Sequence, residues 1–304
     1  MPLARLTALT TLVMIAFAGN SLLCRMALRG TGIDPATFTA VRIVSAAVVL
    51  AVITQSRHRP SRGAGTWRSA LALFAYAAAF SYAYVSLTAA TGALLLFGAV
   101  QATMIGWGVF QGERMGPRQL GGLVLALAGL VGLLLPGLSS PPLAGSLLMI
   151  LAGIAWGIYS LRGKGVGDPT QATAGNFLRA VVPALVLSLL TVPWARWDIR
   201  GVACAVASGA ITSGMGYALW YSVLPALRAT NAAVVQLSVP ILAAFGGILF
   251  LSESLNIRLV LASVAVLGGI AIVTTGGPTR RPGPGGAMSA PGEEQASNRL
   301  QRGK

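Results

Sequence analysis

Charge is what this chain has least of. Only 10% of its 304 residues are Asp, Glu, Lys or Arg, against about 25% in an ordinary soluble domain. So little polar surface cannot cover a water-soluble globule of this length, and that class is excluded. Acids are scarcer still: Asp and Glu together number 7, against 22 Lys and Arg. The 1 histidine, His58, stands in a basic stretch between apolar runs. Without a His, Cys, Asp or Glu cluster there is no ligand set for a metal and no acid/base pair. No catalytic residue, metal or other cofactor is therefore expected. The 2 cysteines, Cys24 and Cys204, both lie in apolar segments, and no disulfide is expected. Strand-type alternation is also missing, which argues against a β-barrel.

What is present is apolar. Hydrophobic residues make up 55% of the chain, in repeated runs of about 18–23, the length that crosses about 30 Å of hydrocarbon. In lipid each backbone polar group must be satisfied within its own segment, so such runs are helices. The reading is an all-α integral membrane protein with ten transmembrane helices. Spans are predicted at 6–24, 36–55, 66–87, 90–110, 118–136, 143–161, 174–194, 201–224, 229–250 and 257–275. Ala16-Phe17-Ala18 resembles a signal-peptidase site, but the apolar run continues through Leu22 and Leu23. It is read as the first span and not as a cleaved signal. The Gly-, Pro- and Arg-rich stretch 277–304 is expected to be a disordered cytoplasmic tail.

A net charge of +15 would suit nucleic acid if the cations formed one patch. They do not: they sit between apolar runs, so the partners expected are the lipid bilayer and a small-molecule substrate, with no nucleic acid. If the N-terminus is cytoplasmic, the inner loops hold Arg57, Arg59, Arg62, Arg68, Arg114, Arg162 and Lys164 among others. The outer side then holds only Arg25, Arg29, Arg196, Arg200 and Arg258. The positive-inside rule thus favours both termini in the cytoplasm, as for a multi-pass protein of the cell inner (plasma) membrane.

The sequence also repeats itself. Glu113 maps to Glu253, Arg118 to Arg258, Phe110 to Phe250 and Gly106 to Gly246, all at an offset of 140. A second correspondence, at 137, sets Arg42 against Arg179. The chain divides into a first half, 1–137, and a second, 138–276. Five spans in each is an odd number, so the halves insert with opposite orientations. Inverted repeats are the signature of alternating-access transporters, with the substrate site near the midplane. A single pseudo-symmetric chain is expected to act as a monomer.

Four stretches then carry a resemblance: Gly216-Tyr-Ala-Leu-Trp-Tyr221, Ala229-Thr-Asn-Ala-Ala233, Leu237-Ser-Val-Pro-Ile241 and Leu251-Ser-Glu-Ser-Leu255. Together they resemble the second repeat of EamA-type transporters in the drug/metabolite transporter superfamily. Arg42 and Glu113 fall where the first repeat of that family has an arginine and a closing Gly-Glu. The resemblance spans roughly residues 6–275. It implies ten helices in inverted halves and transport of small metabolites, often export, with amino-acid exporters as one branch. The family carries a proline where Val100 and Gln101 stand, opposite Pro240, so an irregular helix at that level is implied for the second half.

Candidate substrate-binding residues are polar or aromatic side chains placed inside spans: Asn20, Tyr82, Gln101, Trp107, Trp156, Tyr217 and Gln236. Small-molecule pockets combine aromatic walls with a few orienting polar groups, and aromatic faces attract an ammonium. Trp and Tyr near span ends are alternatively interface anchors. Arg42 and Arg179 are charges inside spans, costly and therefore functional by default. They hold either an anionic substrate group or helix-end carbonyls, and the structural reading is preferred. Glu113 and Glu253 are read as helix-end residues that pair with nearby arginines. No embedded acid or histidine relay is visible, so obligatory proton coupling is not expected. Sugars, nucleosides and drug-like compounds are the other substrate classes. A lipid-directed membrane enzyme or a channel is the remaining alternative.

Overall fold

A computed structural model describes residues 2–56, 64–112, 115–137, 140–163, 166–227 and 235–275. Among the described residues there is no strand. Helices α1 to α7 are Leu3–Gly30, Pro35–Ser56, Trp67–Tyr84, Ala89–Phe110, Pro117–Leu134, Leu143–Arg162 and Pro169–Leu190. They are followed by α8 (Ile199–Ala226), α9 (Ser238–Leu251) and α10 (Ile257–Thr275). Eight of these are long and apolar enough to cross a membrane. The expectation of ten is met only to that extent: α3 does not qualify, and α9 is described over 14 residues.

Short polar residues set the helix starts. Thr66 and Thr88 cap α3 and α4 by accepting from Ser69 N and Thr91 N. Asp168 caps α7 through Thr170 N and Gln171 N, with Pro169 at the first helical position. The side-chain oxygen satisfies N–H groups that the helix itself leaves unpaired. This cap starts α7 earlier than the predicted 174. At the other extreme, α1 runs on to Gly30, past the predicted 24, which carries Arg25 into the helix.

The exterior is apolar. Leu189, Trp197, Phe250 and Ile257 are each about two-thirds or more exposed, as lipid-facing surfaces are. The interior is instead rich in Ala and Gly, because helices in lipid associate through close packing of small residues. Helices α5 and α10 show this most clearly. A Cβ on Gly269 would lie 2.4 Å from Gly122 O, and one on Gly129 would lie 2.8 Å from the Ala265 Cβ. Gln119 Nε2 donates to Val273 O (3.3 Å), and Arg258 Nε donates to Gly132 O (3.0 Å). Numbers rise along α5 as they fall along α10, so this pair is antiparallel.

Other packings recur with the halves exchanged. Helix α3 meets α6 as α8 meets α1. Helix α4 meets α6 as α9 meets α1. The pairs α2–α7, α4–α9 and α5–α10 each join two corresponding helices.

Two aspartates lace the α1–α2 turn to the segment before α8. Asp34 Oδ1 accepts from Ala36 N and Thr37 N, both at 3.0 Å, and its Oδ2 accepts from Arg196 N at 2.9 Å. Asp198 Oδ1 caps α8 through Arg200 N and Gly201 N, while Oδ2 accepts from Gly32 N at 3.4 Å. Partial burial of Asp34 would raise its pKa, but the hydrogen bonds from Thr37, Arg196 and Ala36 outweigh it, and the group lies below its ordinary value. The Gly201 N–H, with those of Gly32 and Arg200, does the same for Asp198.

Candidate functional site

The central cavity is bounded by α1, α3, α4, α6, α8 and Gln236. Its walls are Phe17, Asn20 and Ser21; Tyr76 and Phe80; Leu96 and Phe97; Trp156; and Thr212, Ser213 and Tyr217. The space in it open to a water-sized sphere is about 30 Å³, room for about a water in this conformation. Helical spacing explains most of the list, since i, i+3 and i+4 share a face. On α8 an irregularity is needed. Residues Ser208–Met215 form a π-helical segment, whose wider turn presents Ser208, Thr212, Ser213 and Tyr217 together. Such segments occur mostly as single turns inside α-helices, frequently at functional sites. Gly209 lets this segment approach α2: a Cβ there would lie 2.0 Å from Ser45 Oγ and 2.2 Å from Arg42 O.

A polar network lines one side of the cavity. Asn20 Oδ1 accepts from Ser208 Oγ (2.7 Å) and Thr212 Oγ1 (3.2 Å), and its Nδ2 donates to Tyr76 Oη (3.3 Å). Arg42 stands one side chain behind the wall and is 2% exposed. Its Nη2 donates to the same Tyr76 Oη at 2.9 Å, and its Nε donates to Ser213 Oγ at 3.4 Å. The guanidinium carbon lies 5.2 Å from the Tyr76 ring centroid and 5.0 Å from that of Phe80. Arg42 Nη1 is buried with no hydrogen-bond partner. Among the described residues the one ion pair is elsewhere, between Arg25 and Glu253. Arg42 is therefore a cation one side chain from the cavity, with no ion pair among the described residues. Tyr76 Oη accepts twice, and its own proton has no acceptor among the described residues.

Aromatic rings pack next to this network. Trp156 lies 4.8 Å from Tyr76, 5.1 Å from Tyr217 and 5.3 Å from Tyr159, centroid to centroid.

Of the residues singled out in the sequence, Asn20, Trp156, Tyr217 and Gln236 line this cavity, and Arg42 stands behind it. Gln101 is buried in α4, Tyr82 is half-buried, and Trp107 is 48% exposed beside Phe110; none of the three lines the cavity. Arg179 Nη1 donates to Ala64 O (2.5 Å) and Gly175 O (2.9 Å). Glu253 Oε1 accepts from Arg25 Nε at 3.0 Å, and its Oε2 accepts from Ala89 N at 2.8 Å. Arg25 Nη1 also donates to Tyr84 O and Val85 O. This cluster ties α1, α3, α4 and the end of α9 together. Glu113 lies outside the described residues. Sequence reading missed Tyr76, Phe80 and Phe17. Tyr76 is a hydroxyl in the middle of an Ala-rich span, between Ser69 and Ser81, and that mid-span position is the signal that would have found it.

The profile of the EamA-like transporter family matches residues 6–135 and 143–275. An "uncharacterized protein", PA1977 of Pseudomonas aeruginosa, is 58% identical over 274 residues, covering 90% of this chain and 96% of that one. The "uncharacterized transporter" YoaV of Bacillus subtilis is 29% identical over 52% of this chain and 57% of its own. The threonine/homoserine exporter RhtA of Salmonella typhimurium is 30% identical over 48% of this chain and 50% of its own. A solved crystal structure of 17% identity superposes with a TM-score of 0.62 over 89% of this chain and 97% of that one, which shows a shared fold. With both segments matched and relatives named transporters, this chain is a multi-pass membrane protein belonging to the EamA-like transporter family.

Proposed function

We propose that the chain carries small metabolites bearing a carboxylate, amino acids first, across the cell inner membrane, as an exporter or facilitator. Its two halves, 1–137 and 138–276, are five-helix repeats of opposite orientation with both termini cytoplasmic, and they alternate access to the central cavity. The antiparallel α5–α10 pair and the exchange of packings between halves support that relation. The repeated spans and the distribution of Arg support the topology.

The observation that carries the substrate class is the buried Arg42 beside a cavity with no carboxylate of its own. An uncompensated guanidinium within a membrane costs about 2.5–3.5 kcal/mol on insertion scales. A ligand carboxylate offsets that cost by accepting from Tyr76 Oη and Asn20 Nδ2 and sitting in the field of Arg42. Trp156, Tyr217 and Phe17 then offer π-faces to the substrate ammonium. The partial likeness to a threonine/homoserine exporter agrees with this choice. With Glu253 held by Arg25 and Ala89 N, no acid among the described residues lines the cavity to relay protons, and transport on this reading follows the substrate gradient.

Counterflow in liposomes tests the reading. Vesicles preloaded with L-threonine or L-homoserine are expected to take up the labelled amino acid saturably without an ion gradient. Tyr76→Phe is expected to raise the half-saturating concentration about tenfold, the loss of roughly one hydrogen bond to a charged group. Absence of exchange for every amino acid would move the substrate to sugars, nucleosides or drug-like compounds. Uptake only under a proton gradient would overturn the uncoupled mechanism.

A further inference from the structure

A second cavity lies on the side of the central one where α3 and α7 begin and α6 ends. The space in it open to a water-sized sphere is about 130 Å³, and its lining includes Ser69, Tyr159, Arg162, Val166, Thr173 and Tyr221. Arg162 is in the last turn of α6. Its Nε donates to Ser69 Oγ at 3.1 Å, while its two Nη groups, on an exposed residue at the mouth of the cavity, meet no acceptor among the described residues. No carboxylate of the described residues forms an ion pair with it. Asp168 is the acid nearest in sequence, and its Oδ1 caps α7. The first turns of α3 and α7, of 18 and 22 residues, both border the cavity. Their positive dipole ends add to the field of the guanidinium.

The two cavities share a wall. Trp156 and Tyr217 face the central one, and Tyr159 and Tyr221, one turn further along the same helices, face the second. The Trp156 and Tyr159 rings stand 5.3 Å apart, and Phe177 lies 5.9 Å from Tyr217. Both chambers present hydroxyls and aromatic faces, with Arg162 at the second and Arg42 behind the wall of the first, and a layer of rings divides them. We propose that the second cavity is a vestibule that binds a small carboxylate on Arg162 before it passes the aromatic layer to the central site. The guanidinium supplies two parallel N–H donors, the geometry a carboxylate accepts. This proposal rests on the transport reading for its place on the path, but the vestibule itself can be tested without transport.

The experiment uses the full-length protein carrying Val166→Cys on a Cys204→Ser background, with Cys24 fully buried. The rate of alkylation of the introduced thiol by a neutral maleimide is followed with propionate or with propionamide as its uncharged isostere. Propionate at millimolar concentration is expected to slow alkylation at least threefold, and propionamide to leave it unchanged. Arg162→Gln should abolish the protection and Arg162→Lys should keep part of it. Tyr76→Phe should leave the protection intact, because it touches only the central cavity. Equal protection by both compounds, no protection, or protection that survives Arg162→Gln overturns the vestibule. Protection that is lost with Tyr76→Phe places the ligand in the central cavity and overturns it too. Counterflow that fails while Arg162-dependent protection holds removes the amino-acid reading and leaves this site standing.

Discussion

Arg42 and Arg179 occupy corresponding places in the two repeats, yet the fold treats them differently. Arg179 is half-buried and turns its Nη1 to two backbone carbonyls, Ala64 O and Gly175 O. It holds the α2–α3 connection against α7. Arg42 is fully buried and meets only hydroxyls and rings, with Nη1 unsatisfied. One copy of the repeat gives its charge to backbone carbonyls, while the other buries it behind the cavity wall with Nη1 unsatisfied. The difference arises from the neighbours. Tyr76 and the π segment of α8 stand in front of Arg42, whereas bare backbone stands in front of Arg179. An internal repeat thus keeps position while the partners of the side chain differ.

The largest effect should separate the two arginines. Arg42→Gln is expected to cut counterflow by about 10–100-fold, the equivalent of roughly 1.5–3 kcal/mol for a hydrogen bond to a charged group. Its melting temperature in detergent should stay level or rise, because an uncompensated charge has left the core. A variant that loses transport only in step with unfolding would make Arg42 structural, like its counterpart. Glu253→Gln comes next, on stability. It removes the partner of Arg25 and weakens the acceptor of Ala89 N, and should cost about 1–3 kcal/mol. That lies below the usual loss for breaking a buried pair, because Arg25 keeps the carbonyls of Tyr84 and Val85. Arg179→Gln should cost about 1–2 kcal/mol and leave the half-saturating concentration of the folded protein unchanged. A specific rise in that concentration would show that both copies serve the substrate.

The smallest effect concerns pH. Asp34 and Asp198 both lie below their ordinary value of 3.8. A depressed carboxylate contributes stability that is complete above the unfolded-state pKa and is lost as the pH falls through the lower folded value. Melting temperature should therefore be flat in this respect above about pH 5 and fall below pH 4. Asp34→Asn and Asp198→Asn should flatten that fall. An unchanged acid limb would mean that the clasp between the α1–α2 turn and the start of α8 contributes nothing.

Reading the chain alone reached the all-helical membrane class, most helix positions and the family. The physical reason is that lipid leaves the backbone one option and the apolar runs must match the hydrocarbon thickness. It also reached Asn20, Trp156, Tyr217 and Gln236, because a polar or aromatic side chain in mid-span is conspicuous. Gln101, Tyr82 and Trp107 look the same in one dimension, and only packing sent them away from the cavity. Periodicity could not sort them, since these helices are apolar on every side. Boundaries moved where a cap or a distant partner intervened: Asp168 starts α7 early, and α1 runs on to carry Arg25 to Glu253. The π segment of α8, the pairing of Tyr76 with both Asn20 and Arg42, and the divergent fates of the two arginines were decided by tertiary structure. They depend on contacts between residues as many as 192 positions apart, and no local pattern encodes which hydroxyl will face which cation.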